Sequence, residues 1–415
     1  AKATMTTGQV KVNGYNNSAN KAWRVEYGGD TFDNANGTVM FQFNGFDSRM
    51  SMRSESHANN AFHNLIIHMN GDTRQISPDN GNKIIVDNDL TITRGILAMG
   101  QNHALEVSGD VVIDDASDTA VLEMGISSNI SSQAATFGSL TIGNNGTYKA
   151  TSGTTTLNGT VDVGMRVDGT FTNNDGTFVI AGSITKVQMG SIGGAPTGFS
   201  INNAPFHHLT INDSINFAWS TGTLFNVEGD LTVAAGQTLG ANNENSGIKV
   251  LGDVTLNGTL GNSFLTNDCE FKSLTINSGG TYSATTGTTT ITGESGSGVN
   301  LSNSGTFTHN QGTVKVTCAT QTSLVGFNGT NGFYNYTFAG TGSGQDQVCG
   351  GNTDFFGHVI IDSANSEVQM QAHTFNLYGG ITIKQGGWDI GSSDTSGTVN
   401  VYGLVRNVGG TVVAS

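Results

Sequence analysis

The chain has 415 residues, and its 17 Lys and Arg stand against 32 Asp and Glu, a net charge of −15 that argues against nucleic acid and anionic membrane surfaces as partners. Charged residues are only 12% and Pro only 3, whereas Gly reaches 59, so the polarity comes from Asn, Thr and Ser and the chain reads as ordered, turn-rich and all-β. No apolar run approaches the roughly 18 residues that a membrane-spanning helix needs.

The opening Ala1-Lys2-Ala3-Thr4 carries no apolar leader, which leaves two readings open: a secretory signal already removed, or an initiator Met lost from a protein released by other means. Residues 1–30 are atypical of the rest of the chain. Ala22-Trp-Arg-Val-Glu-Tyr27 alternates as a strand does, and the segment is expected to form an N-terminal cap or docking arm, because the terminal winding of a repeat protein otherwise exposes core and unpaired backbone.

A long-period repeat begins at residue 31. Thr31-Phe-Asp-Asn-Ala-Asn-Gly-Thr-Val39 returns as Thr170-Phe-Thr-Asn-Asn-Asp-Gly-Thr-Phe178 and as Thr306-Phe-Thr-His-Asn-Gln-Gly-Thr-Val314, at steps of 139 and 136 residues. Further landmarks share the same spacing: Thr154-Thr-Thr-Leu157 matches Thr288-Thr-Thr-Ile291. The expected organisation is three related modules, 31–169, 170–305 and 306–415, the last cut short.

A shorter phrase recurs inside them: Phe, two variable residues, then an apolar residue, Thr or Ile, and Ile or Phe. Its six copies start at Phe62, Phe137, Phe206, Phe271, Phe333 and Phe356. In each, the fourth and sixth residues share one side of a strand. Strand centres at Leu209, Leu231, Val254 and Leu274 lie 22, 23 and 20 residues apart, and the longer intervals from Leu140 to Leu209 and from Leu274 to Ile381 read as three and five such periods. Gly109-Asp110, Gly229-Asp230 and Gly252-Asp253 precede strands, as turn chemistry requires. A sandwich gives no reason for one strand to recur at this spacing, whereas stacked windings do. The expected fold is therefore a right-handed parallel β-helix, or β-solenoid, with about 20–23 residues per coil.

The Phe-x-x-Leu-Thr-Ile, Gly-Asp-Val-Thr-Leu and Ser-Gly-Thr-Thr-Thr phrases resemble the repeats of surface and virion β-solenoid proteins of environmental bacteria and their phages. The resemblance covers nearly all of the chain after residue 30. It implies a fold and an extracellular or virion-surface location, and it carries no catalytic set.

Candidate chemistry is sparse. Asp87, Asp89, Asp110, Asp114 and Asp115 can align across neighbouring coils, as a Ca²⁺-binding stripe or as solvated turn residues, and the turn reading is favoured because no calcium-binding nonapeptide is present. His63, His207, His208 and His358 recur within the Phe phrase but lie too far apart along the axis to converge on a metal. Cys269, Cys318 and Cys349 cannot all pair and read as buried small hydrophobes. The tracts Thr154–Thr156 and Thr288–Thr290 invite a flat, water-ordering Thr face. Trp219, Tyr378 and Trp388 are the candidate glycan contacts. No catalytic residue, metal ligand or cofactor site is assigned.

The first functional expectation is a non-enzymatic structural protein, a rigid β-solenoid on a virion (fibre, spike or capsid decoration) or in an extracellular filament, self-assembling as a homo-oligomer or repeating subunit. A surface adhesin that binds cell-surface glycans is the alternative. A β-helical polysaccharide lyase or hydrolase is a further one, with acidic polysaccharides as the test substrates.

Overall fold

The computed structural model describes residues 2–5, 7–13, 21–25, 31–42, 48–52, 61–69, 75–78, 83–114, 118–126, 129–189, 206–218, 224–242, 246–293, 299–318, 322–341, 347–369, 372–389 and 397–413. Among them there is no α-helix. A single 3₁₀ turn, Gly329–Asn331, interrupts an otherwise all-β chain, and no helix is long and apolar enough to cross a membrane. The strands pair in parallel as a β-solenoid, and the chain divides into two compact units, Ala1–Ser220 and Thr221–Ser415.

In the first unit three columns of inward residues run from coil to coil. One passes through Val39, Leu65, Leu90, Val111, Leu140, Met165, Val187 and Phe217. A second passes through Ile84, Leu105, Ala135, Thr155, Phe178 and Leu209. The third passes through Ile76, Leu97, Leu122, Tyr148 and Phe171. Strands such as Lys83–Val86 and Thr177–Ile180 alternate half-exposed with buried residues, as the two-residue period of a strand with one core face requires. Each fully buried Leu, Ile, Val or Phe adds about 1.5–3 kcal/mol of transfer free energy. A short antiparallel hairpin, Gly125 and Ile126 against Asn129 and Ile130, departs from the parallel pattern.

The second unit is built the same way. Leu231, Val254, Leu274, Leu301, Leu324 and Cys349 form one column. Val227, Val250, Phe271, Ile291, Val316, Phe338, Ile361 and Ile383 form the next and end on Asn407. A third face carries Leu239, Leu260, Tyr282 and Phe307, and the short sheet of Thr353–Phe355, Thr374–Leu377 and Thr398–Val401 stacks Phe355, Leu377 and Val401 in one column and Thr353, Phe375 and Val399 in another.

Coil length varies more than the sequence spacing indicates. Leu90 to Val111 and Val254 to Leu274 are steps of 21 and 20 residues, whereas Val111 to Leu140 takes 29. Strand registers are fixed by the core, and the extra residues leave at corners, where loop length costs little.

The Phe phrase marks a corner rather than a fixed face. Phe137 closes one column, over Val107 and under Leu157, and Leu140 opens the next; the register shifts between Val107 and Asp110. A Cβ on Gly138 at this bend would lie 2.5 Å from the Ser108 carbonyl oxygen, so only glycine lets the backbones approach. Leu65 and Leu140 share a column, but Leu209 lies in its neighbour. Likewise Tyr336 and Val359 lie one column away from Leu274. The intervals from Leu140 to Leu209 and from Leu274 to Ile381 therefore do not count whole turns along one column.

The three copies of the long phrase fold alike. Each has two consecutive residues in the left-handed region: Ala35 and Asn36 at φ 44° and 58°, Asn174 and Asp175 at 50° and 58°, Asn310 and Gln311 at 45° and 60°. These tight turns suit Asn and Asp, which tolerate positive φ. The glycine after them closes each turn with a backbone hydrogen bond to the residue three positions back, to Asn34, Asn173 and His309. Residues 1–30 contribute Lys2–Thr4, Gln9–Val12 and Lys21–Val25, each paired in parallel with Thr31–Asp33, Thr38–Phe41 and Ser48–Met52.

Candidate functional site

Asp89, Asp110, Asp230 and Asp253 sit at the corners. The Asp110 N–H donates to Asp89 Oδ1 at 2.9 Å and the Ser139 hydroxyl to Asp110 Oδ1 at 2.7 Å, so each coil's side chain accepts from the next. The second unit repeats the device: the Asp253 N–H donates to Asp230 Oδ1 at 2.9 Å, and the Ser273 hydroxyl to Asp253 Oδ1 at 2.9 Å. Asp87 instead accepts from Asn34 Nδ2 at 2.8 Å, and the Asp114 carboxyl lies over Gly143, where a Cβ would be 1.9 Å from its carbon. Asp115 is outside the described residues. Among the described ones these carboxylates bring no three oxygens to one point. They hold successive bends in register.

The histidines stand at strand entrances. His358 bonds the Thr382 hydroxyl at 2.9 Å and the Gly379 carbonyl at 3.3 Å; His207 packs edge-on against His208 at 4.4 Å, with Nδ1 3.7 Å from Asp175. His309 accepts the Gln311 N–H on Nδ1 at 2.9 Å, and burial holds its pKa below the ordinary histidine value. All three cysteines are buried without disulfides, and burial pushes the Cys269 thiol up to about 12. In each Thr tract the outer two residues are half-exposed and the middle one points inward. Thr155 and Thr289 are 1% exposed and meet the phenol oxygens of the buried Tyr148 and Tyr282 at 3.0 and 2.8 Å.

The three expected glycan contacts part company. Trp219 lies outside the described residues. Trp388 is 3% exposed, in register between Val368 and Val412, so it is a core residue and unavailable to a sugar; its place on a strand with one face in the core decides this. Tyr378 is 44% exposed and belongs to a row.

That row is the outward feature of the second unit. His309 stacks on Tyr334 at 5.3 Å and packs tilted against Phe356 at 5.7 Å. Phe356 stacks on Tyr378 at 5.6 Å and 13°, and Tyr378 on Tyr402 at 5.1 Å and 8°. Phe355-Phe356-Gly357, Leu377-Tyr378-Gly379 and Val401-Tyr402-Gly403 place an inward apolar residue, an outward ring and a bend glycine in turn. The N–H of each ring residue donates to the carbonyl of the inward residue one coil below: Phe356 to Phe333 at 2.8 Å, Tyr378 to Phe355 at 2.9 Å and Tyr402 to Leu377 at 2.9 Å. The glycines pack backbone on backbone. A Cβ on Gly379 would sit 2.2 Å from the Gly357 carbonyl oxygen, and one on Gly403 2.5 Å from the Gly380 nitrogen.

Two residues before the rings, on the same side of the strands, runs a polar column. Asn376 Nδ2 donates to Asp354 Oδ1 at 2.6 Å and Asn400 Nδ2 to Asn376 Oδ1 at 2.9 Å. Asp354 is 8% exposed and also accepts the Gly329 N–H. The apolar–aromatic–glycine triplet recurs at 22 and 24 residues and could have revealed the row from the sequence; the shorter Phe phrase masks it, because Phe356 opens one copy of that phrase.

Comparison with protein-family models, with curated proteins and with solved structures finds no match to this chain.

Proposed function

We propose that this chain is a non-enzymatic structural protein, a rigid β-solenoid displayed on a virion or in an extracellular filament and assembled there as a repeating subunit. The observation that carries the reading is the way each unit spends its polar side chains on its own next coil. Asp89, Asp110 and Ser139 in one unit, and Asp230, Asp253 and Ser273 in the other, hold bends in register rather than reaching toward a shared point in solvent. Buried backbone is satisfied by parallel ladders, and such stacking gives stiffness without a metal or a disulfide. The resemblance of the repeat phrases to surface and virion β-solenoids supports the location.

Immunogold electron microscopy of intact cells and virions from the producing culture tests the placement. The expected label lies on virions or on filaments outside the cell, and label confined to the cell interior refutes it. Incubation with a panel of acidic polysaccharides tests the rest. New reducing ends or unsaturated products would replace the structural reading with an enzymatic one.

A further inference from the structure

We infer that the outward row of Phe356, Tyr378 and Tyr402, with Asn376 and Asn400 beside it, is a binding track for a single chain of an uncharged, linear polysaccharide. The rings are 36%, 44% and 66% exposed. Their planes are within 13° and 8° of parallel, yet their centroids are 5.6 and 5.1 Å apart. Parallel rings in contact approach to about 3.5–4.0 Å between atoms, so these rings are offset like shingles, each leaving part of one face uncovered. A linear hexose polymer advances by a comparable distance per sugar, so a chain laid along the row meets one ring per sugar.

The row is held for this geometry before any ligand arrives. Its N–H groups are fixed to the coil below and the neighbouring glycines pack without room for a methyl group, so little order is lost on binding. The amides of Asn376 and Asn400 lie along the row and offer donors and acceptors to sugar hydroxyls, as orienting polar groups beside apolar contacts do. Among the described residues, neither the rings nor this amide column carries an exposed charge; Asp354 is 8% exposed and already bonded to Asn376 and the Gly329 N–H. The charge pattern therefore fits a neutral polymer. Arg406, in register with Thr382 on the strand after the rings, makes an anionic polymer the comparison to run.

A second protein copy is the weaker occupant. Three aromatic side chains of about 200 Å² each, roughly half exposed, and the exposed Leu404 two residues past Tyr402 offer on the order of 400 Å². A stable protein interface takes about 800 Å² from each partner. A polymer one sugar wide needs no more than the row provides.

The track goes beyond the structural role and does not depend on it, since binding is read on the purified chain and placement on the native particle. Native affinity electrophoresis in gels containing neutral glucans, mannans, xylans or galactans, with alginate and pectate as anionic counterparts, provides the assay. At least one neutral polymer is expected to retard the chain. The Y378A/Y402A double variant is expected to lose at least tenfold in affinity with an unchanged thermal midpoint, while Y378F/Y402F keeps its binding. Retardation by no neutral polymer, by anionic ones alone, or equally in Y378A/Y402A overturns the inference. So does a concentration-dependent dimer of the wild type that Y378A/Y402A abolishes, because the row would then belong to a second copy.

Discussion

The coils after the repeated left-handed turn allow a direct comparison between the two units. In the first unit Thr177 pairs with His208, which places His207 just before the strand; in the second Thr313 pairs with Asn335, which places Tyr334 there. The backbone is the same, with Asn173 and His309 each accepting the N–H two residues on, from Asp175 at 3.1 Å and from Gln311 at 2.9 Å. The outward chemistry differs. The first unit presents two imidazoles beside a carboxylate, and the second begins a run of stacked rings with His309 on Tyr334. Inward residues specify the winding, and outward residues at equivalent sites are free to diverge. Shape is shared between the units, and surface chemistry is where they differ.

The sharpest way to break this comparison is to delete equivalent core rings. Phe137 and Phe271 are both fully buried, and each packs edge-on against a tyrosine, Tyr148 at 5.8 Å and Tyr282 at 5.7 Å. Phe137→Ala and Phe271→Ala are expected to cost about 3–5 kcal/mol each in denaturant unfolding, from lost burial and the cavity left behind. Equal losses would show that the two units share one core design, and a near-neutral effect in either would break the equivalence. Tyr282→Phe comes next, at about 1–3 kcal/mol, because it leaves the buried Thr289 hydroxyl without its partner.

Backbone approach at the bends gives a middle-sized effect. Gly379→Ala is expected to destabilise by about 1–3 kcal/mol, since the new methyl group meets the Gly357 carbonyl at 2.2 Å and the backbone must move. At Gly236 a Cβ would meet no heavy atom within 4 Å, so there the cost comes from φ +76° rather than from contact. The two variants separate crowding from strain. Asp110→Ala and Asp253→Ala are smaller, at about 0.5–1 kcal/mol each, the first losing the Ser139 hydrogen bond and the second the Ser273 hydrogen bond and a surface ion pair with Lys272. Neither Ca²⁺ nor a chelator is expected to shift the thermal midpoint of the wild type, and a Ca²⁺-dependent rise that Asp110→Ala and Asp253→Ala abolish would show that the corner carboxylates bind metal.

The winding itself was legible because burial has a two-residue period and turn chemistry needs Gly, Asn and Asp at fixed places. Leu231, Val254 and Leu274 stack as their spacing indicates. Which face a repeat occupies was not legible. The Phe phrase encodes a corner plus the strand after it, and corner insertions move that corner around the coil, so Leu140 and Leu209 separate although their sequences match. The candidate site was half legible. Tyr378 can be singled out as an aromatic, but a strand gives no sign of which of its faces meets the core until its neighbours are placed, so Trp388 reads as equally available and is buried. Phe356 and Tyr402 do not stand out because a side-chain row is a property of stacking, and its members are 22 and 24 residues apart in the chain.

The smallest expected effect is also the most specific to the contrast between the units. His309 stands where the first unit has Asn173, and its Nδ1 must be unprotonated to accept the Gln311 N–H. Burial lowers its pKa in the folded chain, so the folded state binds fewer protons than the unfolded one between the lowered value and the unfolded value of about 6.5. The contribution is fully present above the unfolded value and is lost as pH falls through the folded one. His309→Asn installs the first unit's residue, keeps an acceptor for the turn and removes the titration. The wild-type thermal midpoint is expected to fall relative to that of His309→Asn as pH drops from about 7.5 to about 5, by roughly a degree or two given the partial exposure of the ring. Because the other titrating groups are common to both proteins, the difference isolates this residue. Parallel curves across that range would mean that the turn tolerates a protonated ring, and the two units would then differ at this corner in surface chemistry alone.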